Sequence, residues 1–102
     1  MPEFKRVLKK SDLKPGTGKT IEIDGTKIAV FNVGNDFYAI DDTCVHRGGP
    51  LGEGALHGKE VSCPWHGWEF DVTTGKAFHA PEIKVRTYPV KVENNDILIS
   101  IY

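Results

Sequence analysis

The sequence predicts a small all-β domain, an antiparallel sandwich or barrel whose chemistry-bearing loops sit at one end. Three observations point there. Apolar residues come in short runs, alternating or continuous, of strand length. Turn residues of the Asp-Gly, Gly-Asn-Asp and Asn-Asn-Asp kind separate these runs. No stretch of twelve residues keeps a 3.6-residue apolar period.

Taken in order, Phe4-Lys5-Arg6-Val7-Leu8 opens as a short strand, and a loop follows through Lys14-Pro15-Gly16-Thr17-Gly18. Thr20–Ile23 and Thr26–Phe31 form a hairpin across Asp24-Gly25. Gly34-Asn35-Asp36 turns the chain into Phe37-Tyr38-Ala39-Ile40, and Asp41-Asp42 ends that strand. Glu60-Val61-Ser62 is a short strand that delivers Cys63. Trp68–Val72 alternates large apolar with acidic residues and turns at Thr73–Lys76. From Val85 to Tyr102 the chain reads as a closing hairpin, with Val90, Val92, Ile97, Ile99 and Ile101 on either side of Asn94-Asn95-Asp96. There is no internal repeat, low-complexity run or linker, so residues 1–102 read as one domain.

The bulk numbers exclude several classes. Hydrophobic residues at 39% and charged residues at 26% describe an ordinary globular chain. Thirteen basic against fourteen acidic residues give a formal charge of −1, without the basic excess of a nucleic-acid binder. No apolar run nears eighteen residues, and no apolar core follows the charges of the N-terminus, so neither a membrane span nor a signal peptide is expected.

Two stretches hold both cysteines and two of the four histidines: Cys44-Val45-His46 and Cys63-Pro64-Trp65-His66. Thiolates and imidazoles converging from two loops suit zinc, copper or iron–sulfur chemistry, and not magnesium or calcium. Two cysteines could form a disulfide, but each has a histidine two or three residues downstream, which favours ligation. If both are ligands, none remains for a disulfide, as expected in a reducing cytoplasm. A structural Cys2His2 zinc site is the alternative, although such sites pair cysteine with cysteine and C-x-H matches them poorly.

The Cys-x-His…Cys-x-x-His pattern resembles the Rieske [2Fe–2S] motif. The resemblance extends through Cys44-Val45-His46-Arg47-Gly48-Gly49-Pro50-Leu51-Gly52, through Cys63–Asp71 and to Thr74-Gly75, and covers the chain from about Phe31 onward. It implies the Rieske β-sandwich with a smaller cluster-binding subdomain inserted between its strands. The cluster loops would run over about 43–51 and 62–70. Cys44 and Cys63 would hold one iron of a single [2Fe–2S] cluster, and His46 and His66 the other.

The chemistry of such a site follows from charge. Two ferric ions, two sulfides and two thiolates sum to zero, since neutral imidazole adds nothing. Two imidazoles in place of thiolates therefore raise the potential above the roughly −400 mV of plant-type clusters. Gly48, Gly49 and Gly67 would let backbone N–H groups approach the sulfides, Pro50 and Pro64 restrict the loops, and Pro81 sits where the family has a third covering loop. High-potential relatives carry a loop disulfide and hydroxyl donors two and four residues after the second ligand histidine. Here those positions are Trp68 and Phe70, and no further cysteine exists. The expectation is the bottom of the Rieske range, roughly −150 mV.

The resemblance implies an electron carrier and not an enzyme: no catalytic residue is assigned, and 102 residues leave no room for the mononuclear-iron domain of an oxygenase. It points to the ferredoxin components of ring-hydroxylating oxygenases, loaded by an NAD(P)H-dependent flavoprotein reductase and drained by a terminal oxygenase. The expected carrier is a cytoplasmic monomer. The competing reading is the small Rieske-type subunit of an assimilatory nitrite reductase. Among the remaining residues, His57 and His79 read as loop or surface histidines, with His79 nearer the cluster. Arg47 and Trp65 are divided between docking and bland roles, and Trp68 reads as core or cluster shield. Asp41-Asp42 reads as a polar strand end, and Lys9-Lys10 as a solvated pair.

Overall fold

The computed structural model describes residues 4–43, 49–64, 68–78, 80 and 82–101. Its strands are β1 (Lys5–Lys9), β2 (Thr17–Ile23), β3 (Thr26–Val33), β4 (Asp36–Asp41), β5 (Ala55–His57), β6 (Glu60–Ser62), β7 (Glu69–Asp71), β8 (Thr87–Tyr88), β9 (Val90–Glu93) and β10 (Asp96–Ile99). They form three antiparallel sheets in the orders β1-β10-β9, β2-β3-β4-β8 and β5-β6-β7. Short 3-10 turns occupy Lys10–Asp12 and Leu51–Glu53.

The central sheet is built on β3. Its run Ile28-Ala29-Val30-Phe31 is fully buried because both faces of the strand are covered. Ile28 and Val30 pack with Leu13, Ile23, Ala39, Tyr88, Ile97 and Ile99 toward the β1-β10-β9 sheet. Ala29 and Phe31 pack with Ile40, Leu51, Val61, Cys63, Phe70 and Val85 toward the β5-β6-β7 sheet. Burying each such side chain contributes about 2 kcal/mol, so the middle layer ties the other two together.

The turns follow residue chemistry. Asp24-Gly25 and Gly34-Asn35 all take positive φ, which places them in two-residue hairpin turns. Asn94, at φ 55, turns β9 into β10. Several boundaries differ from the sequence reading, most at the start of β2. Thr17 and Gly18 belong to β2 and not to the preceding loop, Gly18 lying opposite Phe31 in the pairing of β2 with β3. A Cβ there would meet the Phe31 ring at 2.4 Å, so the missing side chain makes room for that ring.

Two strands were not visible in the sequence. β5 pairs with β6 through Ala55↔Ser62, Leu56↔Val61 and His57↔Glu60, completing the small sheet with β7. The segment read as one closing hairpin also yields β8, which joins β4 of the central sheet through Ala39↔Tyr88 and Ile40↔Thr87. Only β9 and β10 form the hairpin proper.

Candidate metal centre

Two necks, side by side, define the end of the molecule where the sequence places the ligands. Thr43 and Pro50 form an antiparallel bridge that closes the loop over residues 44–49. Directly beneath it the Leu51 N–H donates to the Asp42 carbonyl at 2.6 Å. Asp42 is only 3% exposed. Its Oδ1 accepts from the Thr20 hydroxyl and from the Gly52 N–H, both at 2.8 Å. The strand end is thus an anchor and not merely polar, because a buried carboxylate left without donors would carry a large desolvation cost.

Asp41 is held as well. Its Oδ1 accepts from the Tyr88 hydroxyl at 2.9 Å, and its N–H donates to the Arg86 carbonyl at 2.9 Å. Burial, then the hydrogen bond and charge of Asp41, push the Tyr88 phenol up to about 12 against the opposing influence of Arg86. The Arg86 guanidinium lies 4.8 Å from the centre of the Tyr88 ring.

The second neck is a hairpin. Ser62 pairs with Glu69 across β6 and β7, and the Cys63 N–H donates to the Trp68 carbonyl at 2.7 Å, closing the loop over 64–67. Cys63 is 2% exposed and shares an apolar cluster with Leu51, Val61 and Phe70. Trp68 precedes β7 and is half-buried against that cluster, its ring centroid 6.4 Å from that of Phe70. At the far end of the hairpin Asp71 accepts from the Thr73 N–H at 2.8 Å and its hydroxyl at 2.6 Å, with Lys59 Nζ at 3.5 Å. Burial alone would raise the Asp71 carboxyl, but the Thr73 donors and Lys59 outweigh it and hold the group below the usual carboxylate range.

The two necks are joined through Gly54. A Cβ on this residue would lie 2.0 Å from the Ser62 carbonyl oxygen, so only glycine lets the chain leaving the first neck pass this close to the second. A third turn lies beside β7. The Phe78 N–H donates to the Glu69 carbonyl and the Ala77 N–H to the Ile83 carbonyl, both at 2.8 Å. Phe78 is 60% exposed there.

Of the four expected ligands, Cys63 stands at the second neck, while Cys44, His46 and His66 lie outside the described residues. So do Arg47, Gly48, Trp65, Gly67, His79 and Pro81. His57 is exposed on β5 and pairs with Glu60 at the end of the hairpin away from Cys63, as a surface histidine. The sequence reading took Asp42 for a polar strand end and Gly52 for part of the family motif, and it gave Thr20 and Gly54 no role in the site. Their roles depend on contacts between distant segments, and only the position of Asp42 two residues before Cys44 hinted at one. The donor chemistry fits an iron–sulfur group: Cys63 is a buried thiol outside any disulfide, and Cys44 directly follows Thr43 of the first neck.

A β-sandwich with two such necks, one leading into Cys44 and the other carrying Cys63 over an apolar layer, suits a small iron–sulfur protein. Residues 3–89 match the Rieske [2Fe-2S] domain, and the chain belongs to that family, whose domain carries a cluster of that type. It is 38% identical over 92 residues to the ferredoxin component of the naphthalene 1,2-dioxygenase system of Pseudomonas putida, covering 89% of this chain and 88% of that one. Such ferredoxin components are electron carriers and not catalysts. In three dimensions the chain is similar to one in a complex of reduced oxygenase and oxidized ferredoxin of carbazole 1,9a-dioxygenase. The TM-score there is 0.88 at 34% identity, covering 95% of this chain and 92% of that one. It also resembles a putative NADH-dependent nitrite reductase small subunit from Mycobacterium tuberculosis. That TM-score is 0.92 at 20% identity over 100% and 97% of the chains, a likeness of fold alone.

Proposed function

We propose that this protein is the ferredoxin component of a ring-hydroxylating dioxygenase system, a cytoplasmic monomer that takes one electron from an NAD(P)H-dependent flavoprotein reductase and delivers it to a terminal oxygenase. The near full-length match to ferredoxin components carries this reading. The nitrite reductase small subunits share the fold at low identity and add nothing about partners. In our assignment the whole chain is one Rieske domain. Cys44 and Cys63 hold one iron of the cluster, His46 and His66 the other.

Held by Cys44, His46, Cys63 and His66, a [2Fe–2S] cluster would supply a centre that accepts and releases a single electron. The chain does the rest. The Thr43–Pro50 and Ser62–Glu69 necks hold the loop ends in place, so little of the ligand geometry must be organised when charge changes. Leu51, Val61 and Phe70, all fully buried, keep water from the protein side of Cys63. Trp68 and Phe70 offer no hydroxyl, which leaves added negative charge less stabilised and favours a low potential. A low potential matches flavin-derived electrons.

The test is an EPR-monitored redox titration of protein purified without oxygen. A Rieske-type signal with a midpoint of roughly −150 mV is expected. A midpoint hundreds of millivolts higher would contradict the reading of Trp68 and Phe70. Zinc without iron or labile sulfide would overturn the cluster assignment.

A further inference from the structure

We infer that Asp42 is a positioning residue for the cluster: its buried carboxylate fixes both ends of the first ligand loop to the central sheet. The inference rests on the ligand assignment above. One oxygen, Asp42 Oδ1, accepts from Thr20 of β2 and from the Gly52 amide, each at 2.8 Å. Asp42 itself lies two residues before Cys44, and Gly52 lies on the far side of the loop, two residues after Pro50 of its neck. The main chain of Asp42 is used as well, its N–H donating to the Lys27 carbonyl at 3.2 Å and its carbonyl accepting from Leu51 at 2.6 Å.

Three residue identities are specified together. Asp42 offers one side-chain oxygen with room for two hydrogens, and both donors converge on it. Thr20 supplies a hydroxyl at the right height on β2. Gly52 must lack a side chain, because a Cβ would meet the Thr20 hydroxyl oxygen at 2.3 Å and Asp42 Oδ1 at 2.9 Å. Ordinary capping of the 3-10 turn would require the Gly52 contact but not Thr20.

The two loops are therefore anchored differently. The second is held by main-chain pairing inside its own small sheet, Ser62 with Glu69 and Cys63 with Trp68. The first is referenced to the central sheet through a side chain. A cluster that takes one thiolate from each loop depends on the relation between these two frames, and Asp42 sets one of them. Removing that acceptor oxygen, as Asp42→Ala does, frees the first loop while the β6–β7 hairpin stays intact.

The test uses the cluster-loaded protein and four variants: Asp42→Ala, Asp42→Asn, Thr20→Val and, as a control in the far sheet, Ile97→Val. Three quantities are measured: the rate of cluster bleaching by an iron chelator, the EPR line shape after reduction, and amide exchange of Gly52 against that of Val30 in β3. Asp42→Ala is expected to bleach about tenfold faster with a broadened line, and Thr20→Val about threefold faster. In both, Gly52 exchange accelerates while Val30 does not. Asp42→Asn keeps an acceptor oxygen and is expected within about twofold of the parent, with the parent line shape. Ile97→Val lowers the unfolding midpoint without changing bleaching.

The inference is overturned if Asp42→Ala bleaches at the parent rate. It is also overturned if Gly52 and Val30 accelerate together and bleaching merely follows the unfolding midpoint. Should Asp42→Ala not accumulate, Thr20→Val decides by the same criteria. A parent protein without iron or a Rieske signal would sink the ligand assignment instead, and the Gly52 exchange in the variants would still judge the clamp.

Discussion

The two ends of the molecule are held by different forces. At the β1-β10-β9 end, Ile97 and Ile99 are fully buried against Ile28 and Val30, and shape-tolerant apolar burial carries the load. The ion pairs there, Lys5–Asp24 at 2.8 Å, Arg6–Asp96 and Lys91–Glu93 at 3.8 Å, lie on exposed side chains and contribute little. At the loop end an apolar cluster with Leu51, Val61 and Phe70 fully buried is joined by fixed polar contacts and close backbone approaches: Asp42 with Thr20 and Gly52, and Gly54 against the Ser62 carbonyl. Both ends supply stability, and the loop end supplies position as well. The division suits an electron carrier, whose ligands must barely move when charge arrives.

The sharpest break of this comparison is at Cys63. Cys63→Ser is expected to abolish the Rieske EPR signal and bring iron and labile sulfide to background. The variant puts a hydroxyl where a sulfur is 2% exposed among Leu51, Val61 and Phe70, so it also loses some stability. An unchanged spectrum would remove Cys63 from the ligand set.

A matched pair separates the two ends. Ile97→Ala empties a fully buried position of the far sheet and is expected to lower stability by about 3 kcal/mol while leaving midpoint potential and line shape as they are. Gly54→Ala is expected to cost about 2 kcal/mol, yet to shift the spectrum and speed cluster loss. Its backbone, at φ −76 and ψ 163, suits alanine, so the effect comes entirely from the approach to Ser62. Equal spectral changes in both variants would show that the division is false.

Legibility in the sequence follows the same line. The parts governed by local pattern were readable: Asp24-Gly25 as a hairpin turn, Asn94-Asn95 as another, and β3 as a strand from its β-branched apolar run. The two candidate ligand loops stood out because ligand chemistry demands rare residues at fixed spacing. β8 was not, since a two-residue strand exists only through its pairing with β4. β5 was not, because Ala55-Leu56-His57 is too short to show a period and owes its form to Glu60–Ser62 opposite. Asp42 read as a polar strand end because its partners are 22 residues before it and ten after it, a relation that only the folded chain creates.

Tyr88 tests the joint between the two ends, since it lies in the far apolar cluster but donates to Asp41 beside the first neck. Tyr88→Phe is expected to cost about 1.5 kcal/mol at neutral pH by removing a hydrogen bond to a carboxylate. The phenol is pushed up to about 12 by burial and by Asp41, above its ordinary value of 10.0. Between these values the unfolded chain has released the proton and the folded one has kept it, so stability falls as pH rises through that window. Denaturation midpoints from pH 9 to 12 should show the parent falling toward the phenylalanine variant. Parallel curves would contradict the direction of the shift.

The smallest effect belongs to Asp71, at the end of the second hairpin remote from the ligands. Asp71→Asn keeps an oxygen for the Thr73 amide and hydroxyl and removes only the charge facing Lys59, whose side chain is 62% exposed. The expected loss is about 0.5 kcal/mol or less, because solvent screens such a pair. Burial works to raise the Asp71 carboxyl, but the Thr73 donors and Lys59 prevail and lower it. A lowered carboxyl contributes stability above its unfolded value and loses it as pH falls through the folded one. The difference between parent and variant should therefore hold from pH 8 to pH 5 in urea titrations and shrink as the pH falls further through the folded value, with midpoint potential unmoved between pH 8 and pH 5. A difference that persists unchanged down to about pH 2 would mean that the carboxyl is not lowered. A shifted potential would mean that this hairpin end reports on the cluster after all, and that the boundary between stabilising and positioning contacts lies further from the loops than Gly54 and Asp42 place it.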